Sequence, residues 1–206
     1  MIYQEIIFTK KECDTILNYK NNYESFLVTP KWSLLNDTRT VYHKENNFNG
    51  VNIEVGKDWV KKYNVWDIPI NEETKWFYNK IYDWFINTSR INIDKNIYFN
   101  TTNAAHKLHE YVTGDKFDLH IDKNENTKDW IWNLGIQLNS EYDGGDYICF
   151  DKNDQLISIS KEVGNVVAYT SDTLHEIKEI TNGIRYSMVI KIHSWEVIQK
   201  NKKSLL

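Results

Sequence analysis

Two side chains that commonly bind metal ions, His120 and Asp122, lie two residues apart in the segment KFDLHID. Apolar residues alternate with them, and this period of two predicts a β-strand. Both side chains would then leave the same face of the strand and could take adjacent positions around one ion. His175, in a later segment with a similar apolar pattern, is the natural third ligand. Together the three would form a facial triad that leaves positions open for a co-substrate and oxygen.

An arginine follows ten residues after His175, in the segment IRYSMVIKIH. Alternation places Arg185, Ser187 and His193 on one face, with apolar residues on the other. If that face points inward, the buried guanidinium requires an anion, because an unpaired buried charge is costly. A guanidinium fork with a hydroxyl two residues away fits a carboxylate. The dicarboxylate 2-oxoglutarate would supply this anion at one end and chelate iron at the other.

In this order, His-x-Asp, a distal His and Arg-x-Ser resemble the 2-oxoglutarate- and iron(II)-dependent oxygenase superfamily, and within it the prolyl 4-hydroxylase-like branch. Further matching segments have the family's order and approximate spacing: Tyr111-Val-Thr-Gly114, Leu138-Asn139, Gly144-Gly145 and Val163-Gly164. The opening FTKKECDTI also resembles the start of these domains. The resemblance is good over residues 104–193 and thin over residues 30–95.

The resemblance implies a mainly β (α+β) fold, a double-stranded β-helix or jelly roll flanked by N-terminal helices. It implies a dioxygenase that holds Fe(II) through the triad His120, Asp122 and His175. 2-Oxoglutarate would be held by four side chains: Tyr111, Arg185, Ser187 and Gln137. The enzyme would use O2, decarboxylate 2-oxoglutarate to succinate and hydroxylate its primary substrate, with ascorbate as an optional reductant.

Three positions depart from the branch. Gln137 stands where many relatives have a tyrosine that reaches the co-substrate, although its amide can still donate a hydrogen bond. The same strand offers Trp130 or Trp132 where peptidyl-prolyl hydroxylases often have an arginine for the peptide backbone. His193 matches a position that contacts peptide in some relatives, but Lys191 replaces the tryptophan that usually precedes it by two residues.

The branch mostly acts on proteins and peptides, so we expect a prolyl or other side chain of a protein or peptide as substrate. His193 and Trp130 are the expected substrate contacts. By alternation alone, however, Trp130 and Trp132 both fall on the apolar side, which favours core positions for them. The same chemistry on a free amino acid or small molecule is the alternative. The sequence does not specify an oligomeric state.

Two other classes of protein could present these ligands. A zinc hydrolase could use two histidines and an aspartate, but Arg185 would then have no role. A non-catalytic jelly-roll binding module would need no metal, and the joint occurrence of triad, arginine and serine would be coincidental. His106 and His109, three residues apart, could be paired ligands on a helix but would face opposite ways on a strand, which the pattern favours.

Two helices are predicted in the N-terminal half. Thr9 begins a Thr-x-x-Glu capping box that ends at Glu12, which predicts a helix over about residues 10–21. A second helix is predicted to start near Asn71. Its buried face recurs at helical spacing: Phe77, Ile81, Trp84 and Phe85. Residues 30–68 predict loops with one or two edge strands.

From about residue 97 the period changes to two, and strands separated by turns are predicted. The predicted strands have the sequences KFDLHID, WIWNLGIQL, YICF, QLISIS, NVVAY, LHEIKEI and IRYSMVIKI. Turn residues lie between them at Asp143-Gly144-Gly145-Asp146, Gly164 and Asn182-Gly183. Many short strands packed by N-terminal helices favour a sandwich or jelly roll.

Composition sets the broad class. A chain of 206 residues with 41% hydrophobic residues fits one domain, 1–206, with a support region at 1–95 and a jelly-roll core at 96–195. The net charge of -4 and pI of 5.9 argue against a nucleic-acid partner. No signal peptide or membrane helix is visible. Two distant cysteines, Cys13 and Cys149, favour a reduced, cytoplasmic protein.

Overall fold

The computed structural model of the chain describes residues 2–23, 25–28, 40–41, 51–52, 63–87, 97–99, 106–123 and 130–194. The helices are α1 (Lys10–Asn18), which continues as a 3-10 turn (Tyr19–Asn22), and α2 (Lys75–Asn87). The strands before the predicted core are β1 (Ile2–Ile6), β2 (Ser25–Val28), β3 (Thr40–Val41), β4 (Val51–Asn52) and β5 (Tyr63–Asp67). The later strands are β6 (Ile97–Phe99), β7 (His106–Val112), β8 (Phe117–His120), β9 (Trp130–Gln137), β10 (Tyr142–Gly144), β11 (Tyr147–Phe150), β12 (Leu156–Ser158), β13 (Asn165–Thr170), β14 (His175–Ile177) and β15 (Ile180–Ser194).

Helix α1 begins at the capping box that the sequence predicts. The Thr9 hydroxyl accepts a hydrogen bond from the Glu12 backbone N–H (3.3 Å), and the Glu12 carboxylate accepts one from the Thr9 N–H (2.8 Å). These bonds satisfy backbone donors that have no partner inside the helix. The α-helix ends at Asn18, before the predicted residue 21, and the chain continues in the 3-10 turn.

Helix α2 begins at Lys75, four residues after the predicted start at Asn71. The Asn71 side-chain oxygen accepts hydrogen bonds from the backbone N–H groups of Glu73 (2.9 Å) and Thr74 (3.1 Å). An Asn side chain that bonds to its own backbone in this way forms a turn in competition with helix. The buried face of the helix is the predicted one and contains Phe77, Ile81 and Phe85. Trp84 is partly buried and packs at the edge of this face.

Two antiparallel sheets contain most of the described strands. The larger sheet has the order β1-β13-β9-β15-β7-β5-β2, and β6 and β10 also pair with β15. The smaller sheet has the order β12-β11-β14-β8. Strands β3 and β4 pair only with each other within the described part of the chain. This architecture confirms the prediction of a mainly β protein with two N-terminal helices.

The larger sheet has a different neighbour on each face. On its outer face, Leu134 and Ile190 join Phe77 and Ile16 of the helices in the largest hydrophobic cluster. On its inner face, side chains pack against the smaller sheet, as Tyr169 does against Cys149. Polar side chains on the inner face are therefore enclosed between the two sheets.

The turn predicted at Asn182-Gly183 is wrong, because both residues lie inside the continuous strand β15. Gly183 has a φ of +84°, a conformation that glycine adopts without steric penalty. It pairs with Tyr142 of β10 in the ladder. The glycine therefore accommodates an irregular backbone within a strand rather than ending it.

The region 30–68 contains β3, β4 and β5 among its described residues. Strand β5 lies between β2 and β7 and is an interior strand rather than the predicted edge strand. The rest of this region, and the predicted boundary between residues 95 and 96, lie outside the described residues.

Cys13 and Cys149 are both buried and free, and the cytoplasmic location stays a prediction. No helix in the described ranges is long and apolar enough to cross a membrane.

Candidate active site

The predicted triad comes together where strands β8 and β14 pair. His120 and His175 are direct partners in this ladder, and their ring centroids are 4.2 Å apart. Strand β8 ends at His120, so Asp122, predicted within the strand, lies just beyond its end, where its N–H donates to the Ser171 carbonyl (3.1 Å). Asp122 Oδ1 is 3.6 Å from His120 Nε2, and Oδ2 is 3.8 Å from His175 Nε2. The three residues therefore meet although only two of them are in strands.

The backbone fixes which nitrogen of each ring is protonated. His120 Nδ1 lies 2.6 Å from the Asp118 carbonyl, and His175 Nδ1 lies 2.9 Å from the Thr173 carbonyl. A carbonyl can only accept, so each neutral ring donates from Nδ1 and keeps a lone pair on Nε2. One potential ligand atom from each of the three side chains lies within 4.8 Å of the others. Such backbone-oriented rings are typical of metal-binding histidines.

Two side chains of the larger sheet contact the Asp122 carboxylate. Asn133 Nδ2 donates to Oδ2 at 2.8 Å, and the Lys191 ammonium pairs with the same oxygen. Asn133 and Lys191 are direct partners in the β9–β15 ladder. Burial by itself raises the pKa of Asp122, but Lys191 and the two histidines outweigh it and hold that pKa well below its usual range. The carboxylate is therefore ionised and oriented.

His175 is held in its neutral form. Burial, reinforced by the neighbouring His120, lowers the pKa of His175 to about 3. A metal ion binds the unprotonated nitrogen, so this shift keeps the ring ready for ligation at neutral pH. The donor set of two neutral imidazoles and one carboxylate suits iron(II).

Arg185 is buried on the inner face of β15, with 2% of its surface exposed. Its Nη1 donates to Ser187 Oγ at 2.9 Å, and its Nη2 donates to Gln137 Oε1 at 3.3 Å. Its Nε has no hydrogen-bond partner, and no acidic side chain of the described residues forms an ion pair with it. Because a buried cation without an anion is costly, this guanidinium would favour an anionic partner such as a carboxylate.

Aromatic side chains flank the guanidinium. Arg185 Cζ lies 5.6 Å from the ring centroid of Tyr111 and 5.8 Å from that of Tyr147. Gln137 supports the arginine through its oxygen, while its Nε2 donates to the Tyr142 hydroxyl at 2.8 Å. The Tyr111 hydroxyl lies 3.3 Å from His109 Nδ1. These contacts restrict the guanidinium to one position between the sheets.

Tyr147 connects the arginine with the metal-binding residues. Its ring centroid is 6.1 Å from that of His175, and its hydroxyl bonds to the Tyr169 hydroxyl. The Tyr169 ring is 4.8 Å from the His175 ring. Burial raises the pKa of both tyrosines, so both hydroxyls stay neutral donors. Tyr147 therefore lies between Arg185 and the metal-binding residues.

The part of the chain that carries this arrangement matches a known enzyme family. Residues 106–193 match the sequence model of the 2OG-Fe(II) oxygenase superfamily, a range that includes the triad and Arg185. This segment is a 2OG-Fe(II) oxygenase domain. A comparison with curated proteins gave no match for the chain.

Solved structures show the same fold for the oxygenase. An oxidoreductase of the 2OG-Fe(II) oxygenase family from Burkholderia pseudomallei has a TM-score of 0.63 at 11% identity, over 93% of this chain and 84% of that one. A prolyl-4-hydroxylase from Pseudomonas putida has a TM-score of 0.60 at 11% identity, over 94% and 92%. A prolyl hydroxylase from Trichoplax adhaerens, in complex with a hypoxia inducible factor degradation-domain peptide, has a TM-score of 0.55 at 13% identity, over 91% of both chains. The predicted jelly roll is confirmed, and the likeness to the prolyl hydroxylases is a likeness of fold.

Trp130 departs from the core position that alternation favours. The register of the β9–β15 ladder shifts between Ile192 and His193, so that Ile192 pairs with Trp132 and His193 pairs with Trp130. The Trp130 ring meets the His193 ring edge to face at 5.8 Å and lies 5.1 Å from Lys191 Nζ. Trp132 keeps the core position. A β-bulge changes the face of a residue, and a period of two cannot reveal it.

His106 and His109 lie on strand β7 and face opposite ways, as the pattern favours. The His106 ring packs against Tyr78 at 4.9 Å, on the outer face, whereas His109 lies beside Tyr111 on the inner face. Within the described residues neither belongs to the metal-binding cluster. His109 therefore lies on the same face of the sheet as Tyr111 and contacts its hydroxyl.

Three residues of the oxygenase site were not predicted: Asn133, Lys191 and Tyr147. Asn133 and Lys191 both lie on the polar side of their strands by simple alternation, so the signal was present in the sequence. Tyr147 belongs to the smaller sheet and meets Arg185 of the larger sheet only through packing. No local pattern marks such a contact.

Proposed function

We propose that this oxygenase hydroxylates a prolyl or other side chain in a protein or peptide. The family chemistry uses Fe(II), 2-oxoglutarate and O2 and converts 2-oxoglutarate to succinate. The observation that carries the proposal is the pair of rings formed by Trp130 and His193. It lies beside the metal-binding residues, at the end of β15 away from Arg185.

Iron would be held by His120 Nε2, His175 Nε2 and Asp122. The two Nδ1–H groups donate to carbonyls, so the Nε2 lone pairs are the atoms left for a metal. A zinc hydrolase could use the same ligands, but it would leave the buried guanidinium of Arg185 without an anion. The orphaned Nε of Arg185 therefore favours the oxygenase reading.

2-Oxoglutarate would place its distal carboxylate on Arg185 and the Ser187 hydroxyl. The two groups are already joined at 2.9 Å, so a carboxylate can accept from both without a rearrangement of the strand. Gln137 and the Tyr111 ring keep the guanidinium in place. Arg185 and Ser187 are buried, and burial would strengthen these charged contacts. When bound, the metal and 2-oxoglutarate together supply the oxidising chemistry.

The substrate would lie toward the other end of β15. Ser187 and His193 are six residues apart in the strand, about 20 Å at the usual rise of 3.3 Å per residue. This separation leaves room for the co-substrate near Arg185 and for a second molecule near His193. An aromatic face beside an imidazole suits a pyrrolidine ring or another largely apolar side chain. The likeness to prolyl hydroxylases, one of them solved with a peptide, supports this assignment.

The test begins with the protein loaded anaerobically with Fe(II) and 2-oxoglutarate, followed by admission of oxygen and measurement of succinate. We expect a visible charge-transfer band before oxygen and succinate formation that rises with a proline-rich peptide library. His175→Ala should lose both the band and the turnover. Lys152→Ala, at an exposed position in the turn between β11 and β12, serves as the matched control.

Each result has a clear meaning. No band and no succinate with any substrate would overturn the assignment of iron and 2-oxoglutarate to these residues. Turnover that rises with free amino acids but with no peptide would leave the oxygenase intact and overturn the proposed substrate class. A peptide-dependent rise, followed by mass spectrometry of the peptide, would identify the oxidised side chain by a gain of one oxygen atom.

A further inference from the structure

We propose that the primary substrate carries a carboxylate close to the oxidised carbon and that Lys191 binds it, an assignment that rests on the function proposed above. Lys191 lies on the same face of β15 as Arg185 and Ser187. Its ammonium pairs with Asp122, and it lies 5.1 Å from the centre of the Trp130 ring. It therefore lies between the metal-binding residues and the rings that would receive the substrate.

The metal-binding residues are more exposed on the side of Lys191 than on the side of Arg185. The side chains of His120 and His175 are 3% and 7% exposed, whereas those of Asp122 and Lys191 are 11% and 15% exposed. Arg185, at the co-substrate end, is 2% exposed. Among these residues, accessibility thus increases toward Lys191. A molecule that enters after the co-substrate would meet the ammonium first.

The ammonium has capacity for a further acceptor. A lysine side chain has three N–H donors. Asp122 is its only hydrogen-bond partner among the described residues, and the nearby Trp130 ring offers a face but no acceptor oxygen. Two donors therefore remain for a ligand on the accessible side. The indole face beside them would guide a substrate toward the ammonium without competing as a strong acceptor.

Charge balance identifies the ligand as an anion. Iron(II), Arg185 and Lys191 bring four positive charges to the loaded site, while Asp122 and doubly charged 2-oxoglutarate bring three negative charges. His120 and His175 would bind the metal as neutral imidazoles and add none. Before iron and 2-oxoglutarate bind, the charges of Lys191 and Asp122 neutralise each other. Once they are bound, the Asp122 carboxylate would also neutralise part of the charge of the metal. One positive charge is then left at Lys191, and a substrate carboxylate would neutralise it.

The carboxylate could come from either of two sources with the same chemistry. It could be an Asp or Glu side chain next to the oxidised residue of a peptide, or the α-carboxylate of a terminal residue or free amino acid. Both would place an oxygen pair on the ammonium while an apolar side chain meets Trp130. Probes that differ only by replacement of a carboxylate with an amide distinguish these sources.

The experiment measures binding to the holoprotein in the absence of oxygen. The protein carries Fe(II) and 2-oxoglutarate, and binding is followed by calorimetry and by the change in the charge-transfer band. One pair of probes is a proline peptide flanked by Glu and the same peptide flanked by Gln. The other pair is free L-proline and L-prolinamide. Lys191→Met and Lys191→Arg are compared with wild type and with Lys152→Met, an exposed control.

We expect wild type and Lys152→Met to bind the acid of at least one pair about ten-fold more tightly than its amide. Lys191→Met should bring this ratio to about one, and Lys191→Arg should keep most of it. Lys191→Met should bind metal at least as tightly as wild type, because it removes a cation that competes for Asp122. The probe pair that shows the preference identifies the source of the carboxylate.

Other results would overturn the assignment. Equal binding of acid and amide in both pairs by wild type would refute the carboxylate. An acid preference that survives in Lys191→Met would assign it to another residue. A marked loss of metal affinity in a folded Lys191→Met would show that Lys191 serves to hold Asp122 instead. Absence of the charge-transfer band in wild type would refute the proposed function itself, and is therefore distinct from these outcomes.

Discussion

Replacement of Arg185 by methionine should separate the two roles of a buried cation. In the free protein the guanidinium is almost fully buried, has an unpartnered Nε and makes two side-chain hydrogen bonds. With 2-oxoglutarate bound, it would pair with a carboxylate. Arg185→Met therefore removes an energetic penalty from the free state and a favourable contact from the bound state. We expect the variant to keep the stability of the free protein but to lose affinity for 2-oxoglutarate.

The magnitudes follow from the contacts of Arg185. Replacement of a buried ion by an apolar side chain of similar volume stabilises by roughly 1–4 kcal/mol in favourable cases. Loss of the bonds to Ser187 and Gln137 costs about 1 kcal/mol each, so the net change in the free energy of unfolding should lie between about -1 and +2 kcal/mol. Loss of one partner of a buried charge pair costs about 2–5 kcal/mol of binding. At about 1.4 kcal/mol for each factor of ten, the Kd for 2-oxoglutarate should rise roughly thirty-fold to several thousand-fold.

Thermal unfolding and calorimetry test both halves. The melting temperature of metal-free protein should change little, since 1 kcal/mol corresponds to about 2–4 °C at this chain length. With Fe(II) under anaerobic conditions, 2-oxoglutarate should raise the melting temperature of wild type but not of Arg185→Met. Arg185→Lys should fall between them, because it keeps the charge but not the fork. A variant that unfolds more than about 10 °C lower, yet binds 2-oxoglutarate within ten-fold of wild type, would refute the reasoning.

Three further predictions concern the metal site and the packing that supports it. Asn133→Leu removes the donor to the Asp122 carboxylate and should lower metal affinity about 10–100-fold in an iron or cobalt titration; unchanged affinity would exclude a positioning role. The pKa of His175 is lowered to about 3, so below its ordinary value of 6.5 the unfolded chain binds a proton that the metal-free folded protein does not. Its stability in urea should therefore rise with pH between about 3 and 6.5, by up to about 1.4 kcal/mol per pH unit, and level off above; a flat profile from pH 4 to 6 would contradict this. Gly164→Ala should lower the free energy of unfolding, measured in urea, by about 3 kcal/mol or more. Gly164 has a φ of +85°, and a Cβ would lie 1.8 Å from the Phe8 carbonyl oxygen. A loss below about 1 kcal/mol would show that the backbone relaxes easily there.

Much of the candidate site was visible in patterns along single strands. Alternation placed Arg185 and Ser187 on one face of β15, and the structure joins them by a hydrogen bond. The spacing of His120 and Asp122 put both beside His175 even though the strand ends at His120. The capping box of α1 was also recognisable, since it depends on two residues three apart. Such features depend on short-range geometry, which neighbouring residues specify.

Other features depend on how strands pair. The bulge that moves Trp130 beside His193 is set by the register between β9 and β15, and neither strand indicates it alone. The strand that runs through Gly183 instead of turning there depends on its partner β10. Local turn propensity is weak compared with a ladder of hydrogen bonds, so pairing decides the conformation.

The types and order of the ligands, and hence the class of chemistry, belong to the amino-acid sequence, because metal coordination and anion binding depend on which side chains are present. The tertiary structure alone brings Asn133 and Lys191 to Asp122 and Tyr147 to Arg185. These contacts join residues that are distant in the chain, and they form only when the two sheets enclose a common space. The electrostatics of the site follow from that enclosure, because burial raises the energetic cost of an unpaired charge and strengthens its attraction to an opposite charge. The kind of substrate that Lys191 would select depends on these electrostatics.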